Sequence, residues 1–305
     1  MIQKLLIGIG VLVAIVILGL AIVLVPAHLQ IRQVEAIIPP VNDLMSGEWL
    51  SSSEGPSEIL WLNTASQKSA VGTVSHVVFL LRWEDGRSFM IDSGMNPADA
   101  IAFGELFVTL FGAAPPETYG AVETQMGDAA QNIQGIGFTH LHSDHTLGLT
   151  AICEEIGETA TIFQTSDQAS LQNLHTEAGQ EIVNTAKCGQ SILTDDIIKP
   201  IPGFPGLVAI AAGGHTPGST IYAVRVEGKT WVFAGDITNN KNDLVQNKGK
   251  GVLYSYFLVP ENTRALGQWR PWLAGLDARD DAEVIISHDL SALLQSDLKP
   301  WKAFR

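Results

Sequence analysis

Residues 139–145, Thr139-His140-Leu141-His142-Ser143-Asp144-His145, place three histidines and a carboxylate within six positions. The whole chain has 8 histidines, so a polar loop assembled by chance is a poor explanation for this density. On a near-extended or tightly looped backbone His140 and His142 point the same way, leaving Asp144 and His145 for a neighbouring site. Imidazole nitrogens combined with a carboxylate oxygen suit Zn²⁺, and also Fe or Mn.

The cluster must be held by what surrounds it. Ile133, Ile136 and Phe138 read as an apolar strand before it, and residues 151–156 as a helical run after it. The histidines therefore sit where a strand exits, which is where α/β proteins bind ligands. The same pattern recurs along the chain. Strands at 59–62, 74–83 and 88–91 lead to Asp92-Ser93-Gly94, with a hairpin turn at 84–87. A short strand at 160–163 follows the cluster. The strand at 207–212 ends in Gly213-Gly214-His215, and strands at 220–226 and 230–234 lead to Gly235-Asp236. The strand at 283–286 ends in Ser287-His288. A lone histidine after a strand is usually structural, but repeated exits of this kind form a constellation. His76, inside a strand, reads as a core or surface histidine, and His175, in a polar stretch, as a surface residue. The apolar helical piece at 101–111 reads as packing on the sheet, with a lid or a membrane-facing element as the other reading.

The chain of 305 residues has 46% hydrophobic residues, enough for a sizeable core. A net charge of −14, from 18 Lys+Arg against 32 Asp+Glu, argues against a nucleic-acid partner. Cys153 and Cys188 match no Cys-based zinc spacing and are either a disulfide or two buried thiols. Residues 5–25 contain no charged side chain, and a helix of that length spans about 30 Å, the hydrocarbon thickness of a bilayer. They read as a single-pass anchor in the lipid bilayer, while Val25-Pro26-Ala27 also loosely resembles a signal-peptide cleavage site. Lys4 before the segment and Arg32 after it give a slight charge bias that favours a periplasmic or extracytoplasmic side for the rest. The expected organisation is anchor 1–27, juxtamembrane connector 28–57 and catalytic domain 58–305. The connector contains loop-type chemistry at Pro39-Pro40 and 51–56, and residues 30–38 are a candidate short helix.

His140-x-His142-x-Asp144-His145, followed by His215, Asp236 and His288, resembles the full metal-binding pattern of the metallo-β-lactamase-fold hydrolases. The resemblance covers roughly residues 58–295 and implies an α/β fold, an αββα four-layer sandwich. It implies that His140, His142 and His215 hold one metal, that Asp144, His145 and His288 hold a second, and that Asp236 bridges them. Asp92 resembles the family's early acidic turn, behind the metal loop and not a ligand. The implied cofactor is two divalent ions, expected to be Zn²⁺, whose shared water has its pKa lowered to about 7 and becomes a hydroxide nucleophile. Asp144 and Asp236 are the candidate catalytic carboxylates, with Asp144 orienting the hydroxide and passing a proton to the leaving group.

The expected substrate is a small molecule, a lactone or other ester, because the Ile286-Ser287-His288-Asp289 ending resembles the lactonase branch. That branch often carries a tyrosine beyond the bridging aspartate, whereas Asn239 and Asn240 occupy the near positions here. Tyr254 and Tyr256 read as packing aromatics. The alternatives are a β-lactam or phosphodiester hydrolase on the same centre, a mononuclear iron sulfur dioxygenase, or a non-catalytic zinc domain. Structural zinc sites are normally closed and often Cys-rich, unlike this set.

Overall fold

The computed structural model describes residues 2–47, 49, 54–69 and 72–302. The serine-rich stretch 51–53 of the connector lies outside them. The first sheet is built from β1 (Glu58–Ser69), β2 (Gly72–Arg82), β3 (Ser88–Ile91), β4 (Glu117–Thr118), β5 (Ile133–Gly137), β6 (Thr161–Gln164) and β7 (Gly189–Ile192). The second is built from β8 (Lys199–Pro200), β9 (Leu207–Ala211), β10 (Thr220–Val226), β11 (Lys229–Phe233) and β12 (Ala282–Ile285). The chain then returns to the first sheet through β13 (Lys299–Pro300). The strand orders are β13-β1-β2-β3-β5-β6-β7, with β4 on β1, and β12-β11-β10-β9-β8.

Three apolar layers explain the stacking. Trp61, Phe79, Phe89, Tyr222 and Phe233 fill the space between the sheets. Fully burying an aromatic or aliphatic side chain contributes about 1.5–3 kcal/mol, so this layer dominates the contact between the sheets. Leu60, Val78 and Ile136 on the outer face of the first sheet pack against Leu149, Ile152 and Val183. Those partners lie on the helices Leu149–Ile156 and Glu177–Thr185. Val208, Ile221 and Val232 on the outer face of the second sheet meet Leu266, Trp269 and Leu273 of the helix Thr263–Asp277. Both sheets are therefore covered on both faces, which gives the expected αββα sandwich. Double coverage is also why β2 is buried without a break from Ser75 to Leu81 and lacks the alternation of a half-exposed strand there.

Several local expectations needed correction. β7, half-buried and rich in polar residues, gives no apolar run and was not foreseen. Residues 30–38 do not form their own helix. The N-terminal helix runs Ile2–Ile31, and the chain leaves it through a turn before the short helix Val41–Met45. The helix Pro97–Phe111 does pack on the sheet, through Ala100 against Ala65 and Gly104 O accepting from Gln67 Nε2–H, but leaves Ile101, Leu106, Leu110 and Phe111 exposed.

Cys153 and Cys188 form a disulfide across 35 residues, with Cα atoms 5.2 Å apart, and no cysteine is free. The bond ties the helix that follows the histidine loop to the segment entering β7. Closing a loop of this length removes unfolded-state entropy worth about 2–4 kcal/mol. The Cys153→Ser, Cys188→Ser double variant should lose that much stability in urea denaturation, and added reductant should lower wild type to the same level.

Candidate metal centre

One edge of the sandwich gathers the strand exits. The peptide N–H of Asp92, after β3, donates to Gly137 O at the end of β5 (2.8 Å). Across the two sheets, Thr220 N donates to Thr139 O (2.7 Å). Ser287 N donates to Gly235 O (3.3 Å), and Ser75 N to His288 O (3.4 Å). Gly235 has φ +59, and a Cβ there would lie 2.8 Å from Thr139 Cβ, so glycine is what lets Asp236 approach the histidine loop.

All seven residues expected as ligands converge at this edge. Ligand-type atoms of His140, His142 and His215 lie within 4.8 Å of one another. The same limit holds for His140, His145 and Asp236, and for His76, Asp144 and His288. His142 Nδ1 is 3.0 Å from His140 Nε2 and 3.2 Å from His215 Nε2. Asp236 Oδ1 is 3.1 Å from His288 Nε2, and its Oδ2 is 3.5 Å from His215 Nε2, so the carboxylate lies between the two halves of the cluster.

Groups behind the cluster fix the rings. His145 Nδ1–H donates to Asp92 Oδ2 (2.9 Å), His288 Nδ1–H to Ser75 O (2.7 Å) and His215 Nδ1–H to Glu261 Oε1 (2.6 Å). Each bond selects the tautomer that leaves Nε2 facing inward. Asp92 also accepts from Thr139 N and Thr139 Oγ1, both at 2.8 Å, and so holds the loop as well as the ring. It sits at φ +62, a conformation that a short polar side chain tolerates.

The electrostatics follow from dense, buried charge. Burial, then the neighbouring imidazoles, hold His140 and His142 well below the usual histidine range, so both are neutral ligand-type nitrogens. Burial also pulls His145 down, but the carboxylates of Asp144, Asp92 and Asp236 overcome it and push its pKa up to about 10. Burial would raise Asp144 and Asp236, yet the histidines around both, with Lys250 beside Asp236, hold each ionised far below the ordinary carboxylate range.

The donor set fits metal ions. His145 Nε2 is buried without a hydrogen bond while facing Asp144 Oδ2 at 3.5 Å and Asp236 Oδ1 at 3.9 Å, a costly state for a polar atom and one that a shared cation would relieve.

Four nearby residues were not foreseen in these positions. His76 is buried, as a core histidine would be, but its Nδ1 lies 3.2 Å from Asp144 Oδ2. A histidine in an otherwise apolar buried strand needs a polar partner, and that was the available signal. His175 is half-buried rather than free on the surface: its Nε2–H donates to Leu258 O (2.7 Å), and its ring lies 5.9 Å from that of His142. Glu261 and Lys250 complete the support of His215. Lys250 Nζ is buried, 3.3 Å from Asp236 Oδ2 and 3.6 Å from Glu261 Oε1. Ser255 Oγ–H donates to Glu261 Oε2 (2.5 Å). Tyr254 is half-buried, its ring 5.2 Å from Lys250 Nζ, whereas Tyr256 packs on His28 of the N-terminal helix.

Comparison with known proteins agrees with this geometry. The profile of the metallo-beta-lactamase superfamily matches residues 71–288. No curated protein matches the chain. Among solved structures, an N-acyl homoserine lactone hydrolase with N-hexanoyl-L-homoserine at its catalytic metal centre aligns at TM-score 0.57 and 13% identity, covering 80% of this chain and 98% of that one. A B. thuringiensis AiiA variant with N-decanoyl-L-homoserine at its active site aligns equally, at TM-score 0.57, 13% identity, and 80% and 98% coverage. A probable metal-dependent hydrolase from Staphylococcus aureus aligns at TM-score 0.53 and 16% identity, covering 78% of this chain and 91% of that one. At these identities the likeness is one of fold.

Proposed function

Because this chain belongs to the metallo-beta-lactamase superfamily, we propose that it is a dinuclear, zinc-dependent hydrolase that opens a lactone or other ester. The reading includes a catalytic domain of residues 58–305, a connector of residues 28–57 and an N-terminal membrane anchor, with the domain on the extracytoplasmic side. The observation that carries it is the convergence of five imidazoles and two carboxylates, with His145 Nε2 buried and unbonded among them. The helix Gln3–Ile31, which contains an 18-residue stretch of mean hydropathy 3.2, is long and apolar enough to cross a membrane, a property that a signal sequence shares. The disulfide is in keeping with an oxidising compartment.

In this proposal His140, His142 and His215 hold one ion, Asp144, His145 and His288 the other, and Asp236 both. The ions, when bound, would supply Lewis-acid polarisation of the scissile carbonyl and activation of the attacking water. The chain's own residues do the rest. Asp92, Ser75 O and Glu261 keep three imidazoles aimed inward. Asp144 Oδ2 is held among His76, His145 and His288 at 3.2, 3.5 and 3.4 Å, and in this proposal its other oxygen carries the proton from the attacking water to the departing alkoxide. The lactone preference is supported by the fold likeness to enzymes with acyl-homoserine products bound.

Glu261→Gln should keep the fold but weaken metal binding by about 10–100-fold, the usual effect of losing a carboxylate behind a ligating histidine. Competition with a chromophoric chelator reads this directly, and unchanged affinity would remove Glu261 from the account. The reaction class is tested by incubating the purified full chain with acyl-homoserine lactones, a β-lactam and bis-p-nitrophenyl phosphate. Lactone turnover that a chelator abolishes supports the proposal. Turnover of the β-lactam or phosphodiester alone would replace the substrate while leaving the centre intact.

A further inference from the structure

The N-terminal helix does not leave the domain through a free tether. One face of its last turns is buried: Ala27 is 2% exposed and Ile31 0%. His28 Nε2–H donates to Tyr256 O (3.0 Å), and the two rings lie 5.5 Å apart. Just beyond the helix, Val34 O accepts from Asn262 Nδ2–H (3.3 Å), and a Cβ on Gly213 would come within 2.8 Å of Val34 Cγ1. The end of the helix is thus clamped to the loop that presents His215 and to the segment at 252–262.

That segment has two faces. Ser255 and Tyr254 turn inward, to Glu261 and Lys250 behind His215. Val252, Leu253 and Phe257 turn outward, 71%, 65% and 53% exposed, and belong to none of the buried apolar clusters. His28 is the first ionisable side chain after Lys4 and lies three residues past Val25, the end of the 5–25 segment read as the anchor, or about 5 Å along the helix axis. Tyr256 therefore lies close to the level where the hydrocarbon would end, the depth at which tyrosine is enriched.

We infer that residues 252–257 are a membrane-docking surface that seats the metal-ligand edge of the domain on the bilayer. The inference rests on the reading of Gln3–Ile31 as a membrane span. The occupant is the bilayer because the patch continues directly from that helix and consists of large apolar side chains around an interfacial tyrosine. Contact is apolar in origin, since a chain with a net charge of −14 gains nothing from an anionic surface. The docking surface also carries the groups that orient His215, so it fixes the metal-ligand loop relative to the membrane plane.

The test uses the full chain in phosphatidylcholine vesicles. Both native cysteines are paired, so Phe257→Cys, or Val252→Cys as a second reporter, offers one thiol for an environment-sensitive nitrobenzoxadiazole label. Asp85→Cys, on the turn after β2 and nine residues from His76, or about 30 Å by strand rise, is the aqueous control. Blue-shifted emission at 257 and 252, quenched by lipids brominated high in the acyl chain, with water-like emission at 85, is the expected result. Water-like emission at all three positions in protein that floats with the vesicles overturns the docking and leaves the anchor standing. Protein that does not float with the vesicles overturns the anchor, and the docking with it.

Discussion

Asp236→Ala should reduce kcat/KM by about 10³-fold or more, equivalent to about 4 kcal/mol of transition-state stabilisation. Asp236 is the carboxylate between the two halves of the cluster, 3.1 Å from His288 Nε2 on one side and 3.5 Å from His215 Nε2 on the other. Its removal takes a shared anionic ligand from both proposed ion sites. It also strips Lys250 of a partner at 3.3 Å and leaves that buried ammonium to Glu261 alone. An uncompensated buried charge is itself costly, so a stability loss should accompany the loss of activity. Asp236→Asn, which keeps the volume and removes the charge, separates the two effects. It should recover much of the thermal midpoint while leaving metal content below two ions per chain and activity close to that of the alanine variant. An Asn variant with full metal content and full turnover would show that the bridging role is wrong.

Asp144→Asn should behave differently. Proton transfer by a positioned carboxylate contributes about 10²–10⁴-fold, so kcat should fall by that factor with KM little changed. The asparagine oxygen can still ligate but cannot carry the proton. His76, His145 and His288 surround the position at 3.2–3.5 Å, so the neutral side chain remains held where the carboxylate was. Steady-state kinetics on metal-loaded protein provide the check. Retention of both metals together with undiminished kcat would assign proton transfer elsewhere.

Much of this centre was legible because its ligands sit immediately after apolar runs. His140, His215, Asp236 and His288 each follow a strand that ends in small or hydroxylated residues, a local signal that needs no knowledge of the fold. The layering was expected from the resemblance that those residues carry, not from the strand and helix pattern by itself. Glu261 and Lys250 were not legible. They lie in an irregular stretch of mixed polar and aromatic residues, and only the packing of 250–262 against the His215 loop brings them in. His76 was read as a core or surface histidine because a doubly covered strand shows no polar face to mark where it passes from core to site. The disulfide stayed open because no spacing rule pairs two cysteines 35 residues apart. His175 was misplaced because a polar loop reads as solvated whether or not it packs against another segment.

The shared premise of these expectations is that the cluster is a two-metal centre, and elemental analysis of the purified full chain tests it most directly. After metal loading and removal of excess ion, the chain should hold two divalent ions, predicted to be zinc. Chelation should remove them together with the hydrolytic activity, and added metal should restore both. A chain that takes up no metal under any loading condition, or that holds a single iron and hydrolyses nothing, would contradict the account.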